Sequence, residues 1–164
     1  MKSKGFTLIE LVVVIVILGI LAVTAAPRFL NMHRDARIAS LEGFIGAVKA
    51  ANSIVVGKAT VVGIESAKVE TNIPNTDLYV LDGQMSIKPK HIKAAMNVDG
   101  FMMTDYEFSD VPSTFIYLGD KEMTGTELKA MGCFIQLTRS IEMQDGSDVI
   151  DYGDLRVNKL YDGC

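Results

Sequence analysis

The feature that most limits this chain is an unbroken apolar run near its start. From Phe6 to Ala26 the only clearly polar side chains are Thr7, Glu10 and Thr24. As a helix this run rises about 32 Å, enough to cross the hydrocarbon of a bilayer. Such a segment, apolar on every side, reads as a membrane span. Glu10 is the anomaly, because a carboxylate in hydrocarbon is costly and calls for a partner.

Lys2 and Lys4 precede the run and give it the look of an export signal. A secretory peptidase would then cut near Val23-Thr24-Ala25-Ala26, but Pro27 would follow the cut and the helical signal does not stop there. Apolar residues recur at Ile38, Leu41, Ile45, Val48 and Val55, with Ala51 or Asn52 filling the gap. That is the three-then-four spacing of one helical stripe. Arg34, Asp35, Arg37, Glu42 and Lys49 take the other side. An apolar helix therefore runs into an amphipathic one, with Gly19 and Pro27 as its soft points.

Beyond about residue 58 the composition is mixed and suits one small core. Thr76–Leu81, Ser113–Leu118 and Cys133–Leu137 are strand candidates, with weaker ones at Arg139–Met143 and Val149–Tyr152. Asp82-Gly83 and Asp145-Gly146 are turn signals. Pro89–Met96 reads as a short helix. Thr124-Gly125-Thr126-Glu127 fits a capping box, with a helical turn through Met131. The expected class is α+β, an antiparallel sheet packed on the stripe of the long helix.

The chemistry is sparse. Net charge is −4, or −6 without Lys2 and Lys4, which excludes a basic nucleic-acid footprint. His33 on the polar helix side and His91 between Lys90 and Lys93 both read as surface residues. No catalytic triad, phosphate loop or zinc spacing is present, so neither an enzyme nor a cofactor is expected. Asp145, Asp148, Asp151 and Asp154 invite a calcium reading, but the EF-hand pattern is missing and turn carboxylates are expected, with no metal. Cys133 and Cys164 have neither metal-ligand nor redox spacing. Two readings stand: unpaired thiols of a cytosolic protein, or a bridge stabilising by about 3–4 kcal/mol and fastening the terminus. The membrane-crossing start favours the bridge, since it leads towards an oxidising compartment.

Gly5-Phe6-Thr7-Leu8-Ile9-Glu10, set between a short basic leader and an apolar run ending at Pro27, resembles the type IV prepilins. Phe6–Asn31 and the late cysteine pair are most similar to the mannose-sensitive haemagglutinin (MSHA) pilins. The resemblance implies a leader at residues 1–5, a transmembrane and filament-core helix at 6–27, an amphipathic helix at 28–58, and a head at 59–164 with a disulfide between Cys133 and Cys164. It implies cleavage between Gly5 and Phe6 by a prepilin peptidase, N-methylation of Phe6, Glu10 as the assembly residue, and helix softening at Gly19 and Pro27. Further partners would be other copies of the chain in a homopolymeric filament, the inner-membrane assembly machinery, and a surface or glycan receptor. The subunit would sit in the inner membrane of a Gram-negative bacterium, head in the periplasm, before joining an extracellular pilus. Rival readings are the major pseudopilin of a type II secretion system, a minor pilin, and a membrane-tethered periplasmic binding domain.

Overall fold

The computed structural model describes residues 6–105, 112–143 and 150–164, apart from the side chains of residues 26, 27, 29, 30 and 143. The elements are α1 (Leu8–Val62), β1 (Thr71–Asn72), β2 (Tyr79–Leu81), β3 (Gln84–Met85), α2 (Pro89–Ala95), β4 (Phe101–Asp105), β5 (Ser113–Leu118), α3 (Gly125–Met131), β6 (Phe134–Met143) and β7 (Ile150–Leu160). The class is α+β, a long helix followed by antiparallel sheet. Two compact units divide the chain, Met1–Arg37 and Ile38–Cys164.

Within the second unit, α1 buries Leu41, Phe44, Ile45, Val48, Ala51, Val55 and Ala59. Here the expected stripe becomes the spine of the core. The helix passes the expected boundary at residue 58 and reaches Val62, where Gly63 takes φ +73°. A left-handed residue of this kind ends a helix, and glycine adopts it without a Cβ clash.

Strands β1–β2–β3 form one antiparallel sheet and β4–β5–β6–β7 another. Asp82 and Gly83 join β2 to β3 with φ of +43° and +74°, and Leu81 faces Gln84. Positive φ at both loop residues marks the hairpin turn that Asp-Gly favours. Along β5, Ile116 packs into the α1 core while Phe115 and Tyr117 join Leu128 and Phe134 in a second cluster, to which α3 contributes. Because β5 is buried on both faces, it reads as a continuous apolar run rather than an alternating one.

Three strand expectations need correction. Only Tyr79–Leu81 of the stretch Thr76–Leu81 is strand. The residues before it turn, with Asn75 at φ +60° and the Thr76 hydroxyl donating to the Ile73 carbonyl at 2.8 Å. Phe134–Leu137 and Arg139–Met143 belong to a single long strand, β6, which Cys133 directly precedes. Strand β4, centred on Met102 and Met103, was not expected, because methionine carries little strand signal. The Asp145-Gly146 turn and Val149 lie outside the described residues.

Candidate functional site

In the first unit, Leu8–Ala25 has a mean hydropathy of 3.0 and none of it is buried. Phe6, Ile9, Leu18 and Val23 are all exposed. Helix α1 opens on a capping arrangement that the sequence pattern alone did not suggest. Thr7 donates to Glu10 Oε2 through its backbone N–H at 2.8 Å and its hydroxyl at 2.7 Å. The Glu10 N–H lies 3.4 Å from Thr7 Oγ1. Thr-x-x-Glu at 7–10 is the same signature as the one at 124–127. The carboxylate that looked unpartnered is thus held by its own helix start. An open hollow beside it, about 330 Å³, is lined by Phe6, Ile9, Glu10, Val13 and Val14. Gly19 is exposed and lies inside α1, as does Pro27, while Gly5 falls outside the described residues.

In the second unit the least expected residue is Arg139, 1% exposed. Its Nε donates to the Gly153 carbonyl at 2.8 Å, and Nη2 donates to the carbonyls of Asp82 at 2.8 Å and Tyr152 at 2.9 Å. Nη1 donates to the Leu81 carbonyl. One guanidinium therefore joins the β2–β3 turn to β7, where a register shift opposes Arg139 and Ile141 to Leu155 and Tyr152. Its rigid fork of donors suits several fixed carbonyls at once. The weak strand pattern at Arg139–Met143 carried no signal that this arginine would point inward.

Arg139 also lines an open cavity of about 300 Å³ with Lys68, Glu70, Lys88 and Tyr152. Its lysines are engaged by carboxylates: Lys68 Nζ lies 2.8 Å from Asp82 and 2.6 Å from Asp151, and Lys88 lies 2.5 Å from Glu70. Burial pushes Asp82 up, but the Lys68 hydrogen bond, the Tyr152 N–H and the nearby cations outweigh it and hold the group below its ordinary value. An ammonium thus sits on Asp151, one of the four spaced aspartates. Asp145 and Asp148 lie outside the described residues, and among those described no three metal-ligating side chains gather.

Cys133 and Cys164 are bridged, with Cα atoms 4.7 Å apart. The end of the chain folds onto the C-terminus of α3, where the Gly163 N–H donates to the Gly132 carbonyl at 2.9 Å. A Cβ on Gly163 would lie 1.8 Å from the Met131 carbonyl oxygen, so only glycine fits. Lys159 and Tyr161 reach Glu42 of α1 at 2.7 and 2.9 Å. Burial and that carboxylate push the Tyr161 hydroxyl up to about 12.

His33 is exposed, as expected. His91 is not: it is 3% exposed and stacks on Tyr79 with ring centroids 3.9 Å apart. The flanking lysines suggested a surface, but His91 and Ile92 form the inward side of α2.

Residues 1–26 match the family described as a prokaryotic N-terminal methylation motif. The chain is 46% identical over 59 residues to a type IV narrow pilus major component, PilA5, of Thermus thermophilus, covering 36% of this chain and 51% of that protein. It is 35% identical over 102 residues to a type IV major alpha-pilin of Moraxella bovis, covering 60% and 61%. A type II secretion system core protein G of Pseudomonas aeruginosa is 44% identical over 50 residues, covering 30% and 35%. The chain thus spans between about a third and under two thirds of the length of these relatives. No solved structure matches.

Proposed function

We propose that this chain is the structural subunit of a type IV pilus, built into a surface filament for attachment. The observation that carries the reading is the segment Leu8–Ala25, apolar on all sides, uncovered, and opened by the Thr7–Glu10 cap. In the inner membrane, lipid would cover it. In a filament, the same segments of other copies would do so, and extraction would then expose little apolar surface. Cleavage after Gly5 by a prepilin peptidase would create a cationic amine on Phe6, which is then methylated. Both cap bonds to Glu10 use Oε2, so Oε1 is the natural acceptor for the Phe6 amine of a neighbouring subunit. Pairing of this kind favours one axial stagger over others. Gly19 and Pro27 would let the segment adjust as subunits pack.

The finer likeness to the MSHA pilins rests on Phe6–Asn31 and the late cysteine pair, and it extends the proposal to adhesion through a surface or glycan receptor. The second reading, a secretion pseudopilin, is favoured by the likeness to core protein G, which extends over 50 residues. The Cys133–Cys164 bridge speaks for the pilin. Mass spectrometry of fibres sheared from cells tests both readings. A subunit of residues 6–164 carrying one added methyl and lacking two hydrogens is expected; absence of surface fibres containing this chain would sink the pilus reading. A Gly5→Arg chain should accumulate uncleaved and unassembled.

A further inference from the structure

His91 belongs to a chain of hydrogen bonds that the filament reading does not use. Its Nδ1 lies 2.7 Å from Ser86 Oγ, and Ser86, 1% exposed, lies 2.6 Å from Glu70 Oε1. Glu70 Oε2 in turn takes Lys88. A carboxylate has no hydrogen to give, so the single Ser86 hydroxyl hydrogen goes to Glu70. The bond between Ser86 and His91 must then run from Nδ1–H to the Ser86 oxygen. That sets the tautomer: a neutral imidazole with its lone pair on Nε2. His91 Nε2 is buried and has no hydrogen-bond partner among the described residues.

We propose that the His91–Ser86–Glu70 relay is an acid-sensitive latch that fastens α2 to the three-stranded sheet, closed while His91 is neutral and released when Nε2 takes a proton. The members come from different elements. Glu70 directly precedes β1, Tyr79 starts β2, Ser86 follows β3, and His91 lies in α2. A second proton has only Nε2 to occupy, and there it would be a buried donor and a buried charge without an acceptor. The charged groups facing the ring are Glu70, whose Oε1 is 3.7 Å from Nδ1, together with Asp105, Lys88 and Lys90. Burial is the largest influence and opposes the imidazolium; Lys90 and Lys88 add to it, while Glu70 and Asp105 offset it only in part, so His91 is pulled below the ordinary value of 6.5.

The unfolded chain takes up this proton near the ordinary histidine value and the folded chain only at lower pH. Between the two the unfolded state holds more protons, so stability falls as pH falls. Glu70 acts in a separate window. Burial pushes it up, but Lys88 and Ser86 outweigh burial and hold it below its ordinary 4.5, so its own contribution is lost only at still lower pH. A loss that begins near pH 6.5 is therefore the signature of His91. The latch concerns the second unit alone and stands apart from the filament reading.

The test is thermal melting of the full chain in detergent micelles between pH 7.5 and 5.0, followed by circular dichroism. The wild-type midpoint is expected to fall by about 2–6 °C across that range. His33→Gln should keep the fall, and His91→Gln should abolish it whatever its absolute midpoint. Nitrogen NMR of wild-type imidazoles provides a measurement that needs no variant. It should show the Nδ1–H tautomer for His91 and a midpoint below 6.5. Hydrogen exchange, corrected for intrinsic rates, should quicken at pH 5.5 in β2, β3 and α2 but not in β5 and β6. A fall that survives in His91→Gln, a His91 midpoint at or above 6.5, or uniform quickening of exchange would overturn the proposal.

Discussion

Two Thr-x-x-Glu caps open two helices of this chain, and their geometries are nearly the same. At α1 the distances are 2.8, 2.7 and 3.4 Å; at α3 the corresponding bonds from Thr124 and Glu127 are 2.7, 2.8 and 3.3 Å. The difference lies in the residues downstream of each cap. Helix α3 buries Leu128 at once and ends on Gly132 at φ +71°, so its cap finishes an element that the head already holds in place. Helix α1 continues from its cap into a stretch that buries nothing. The same local motif is a stabilising detail in one place. In the other it holds a carboxylate at the head of an uncovered apolar stretch. Local structure supplies the cap, and the surroundings decide its use.

The largest expected effect breaks this contrast at Glu10. A Glu10→Val chain should be cleaved and stay in the membrane with an unchanged head, yet give few or no fibres; Glu127→Val should give normal fibres. Wild-type fibre yield from Glu10→Val, measured by shearing and microscopy, would remove the assembly role. Next comes the head's internal wiring. Arg139→Met leaves four carbonyls, one buried and three partly buried, without their donor and should cost about 3–5 kcal/mol in denaturant unfolding of the full chain. Arg139→Lys should recover only part of that, because a lysine cannot span the fork. Reducing the Cys133–Cys164 bridge should cost about 3–4 kcal/mol. The smallest effect sharpens the contrast directly. Thr124→Ala should lower head stability by about 1 kcal/mol, while Thr7→Ala should leave head melting unchanged.

Legibility in the sequence depended on the range of the interactions. The long helix, its buried stripe, the Asp82-Gly83 turn, the α3 cap and strand β5 all depend on neighbours a few residues away, and those patterns could be read directly. Arg139 and His91 could not. Their burial depends on carbonyls at Leu81 and Asp82 and on the side chains of Glu70 and Ser86, which no local pattern brings near. Charged neighbours in sequence pointed the wrong way for His91. The Thr7–Glu10 cap is a different case. Its signature is local, but the hydrophobic run around it points first to the membrane and hides the cap.

The bridge at the base of the β6–β7 hairpin has one more consequence. Cys133 directly precedes β6 and Cys164 lies beyond β7, with Phe134 opposite Leu160 between them. A slip of β7 by two residues would keep every side chain on its proper face. It would, however, carry Cys164 about 7 Å along the sheet, and bridging fails once the Cα atoms are more than about 7 Å apart. The bridge thus fits the native register of β6 and β7 and not that slip.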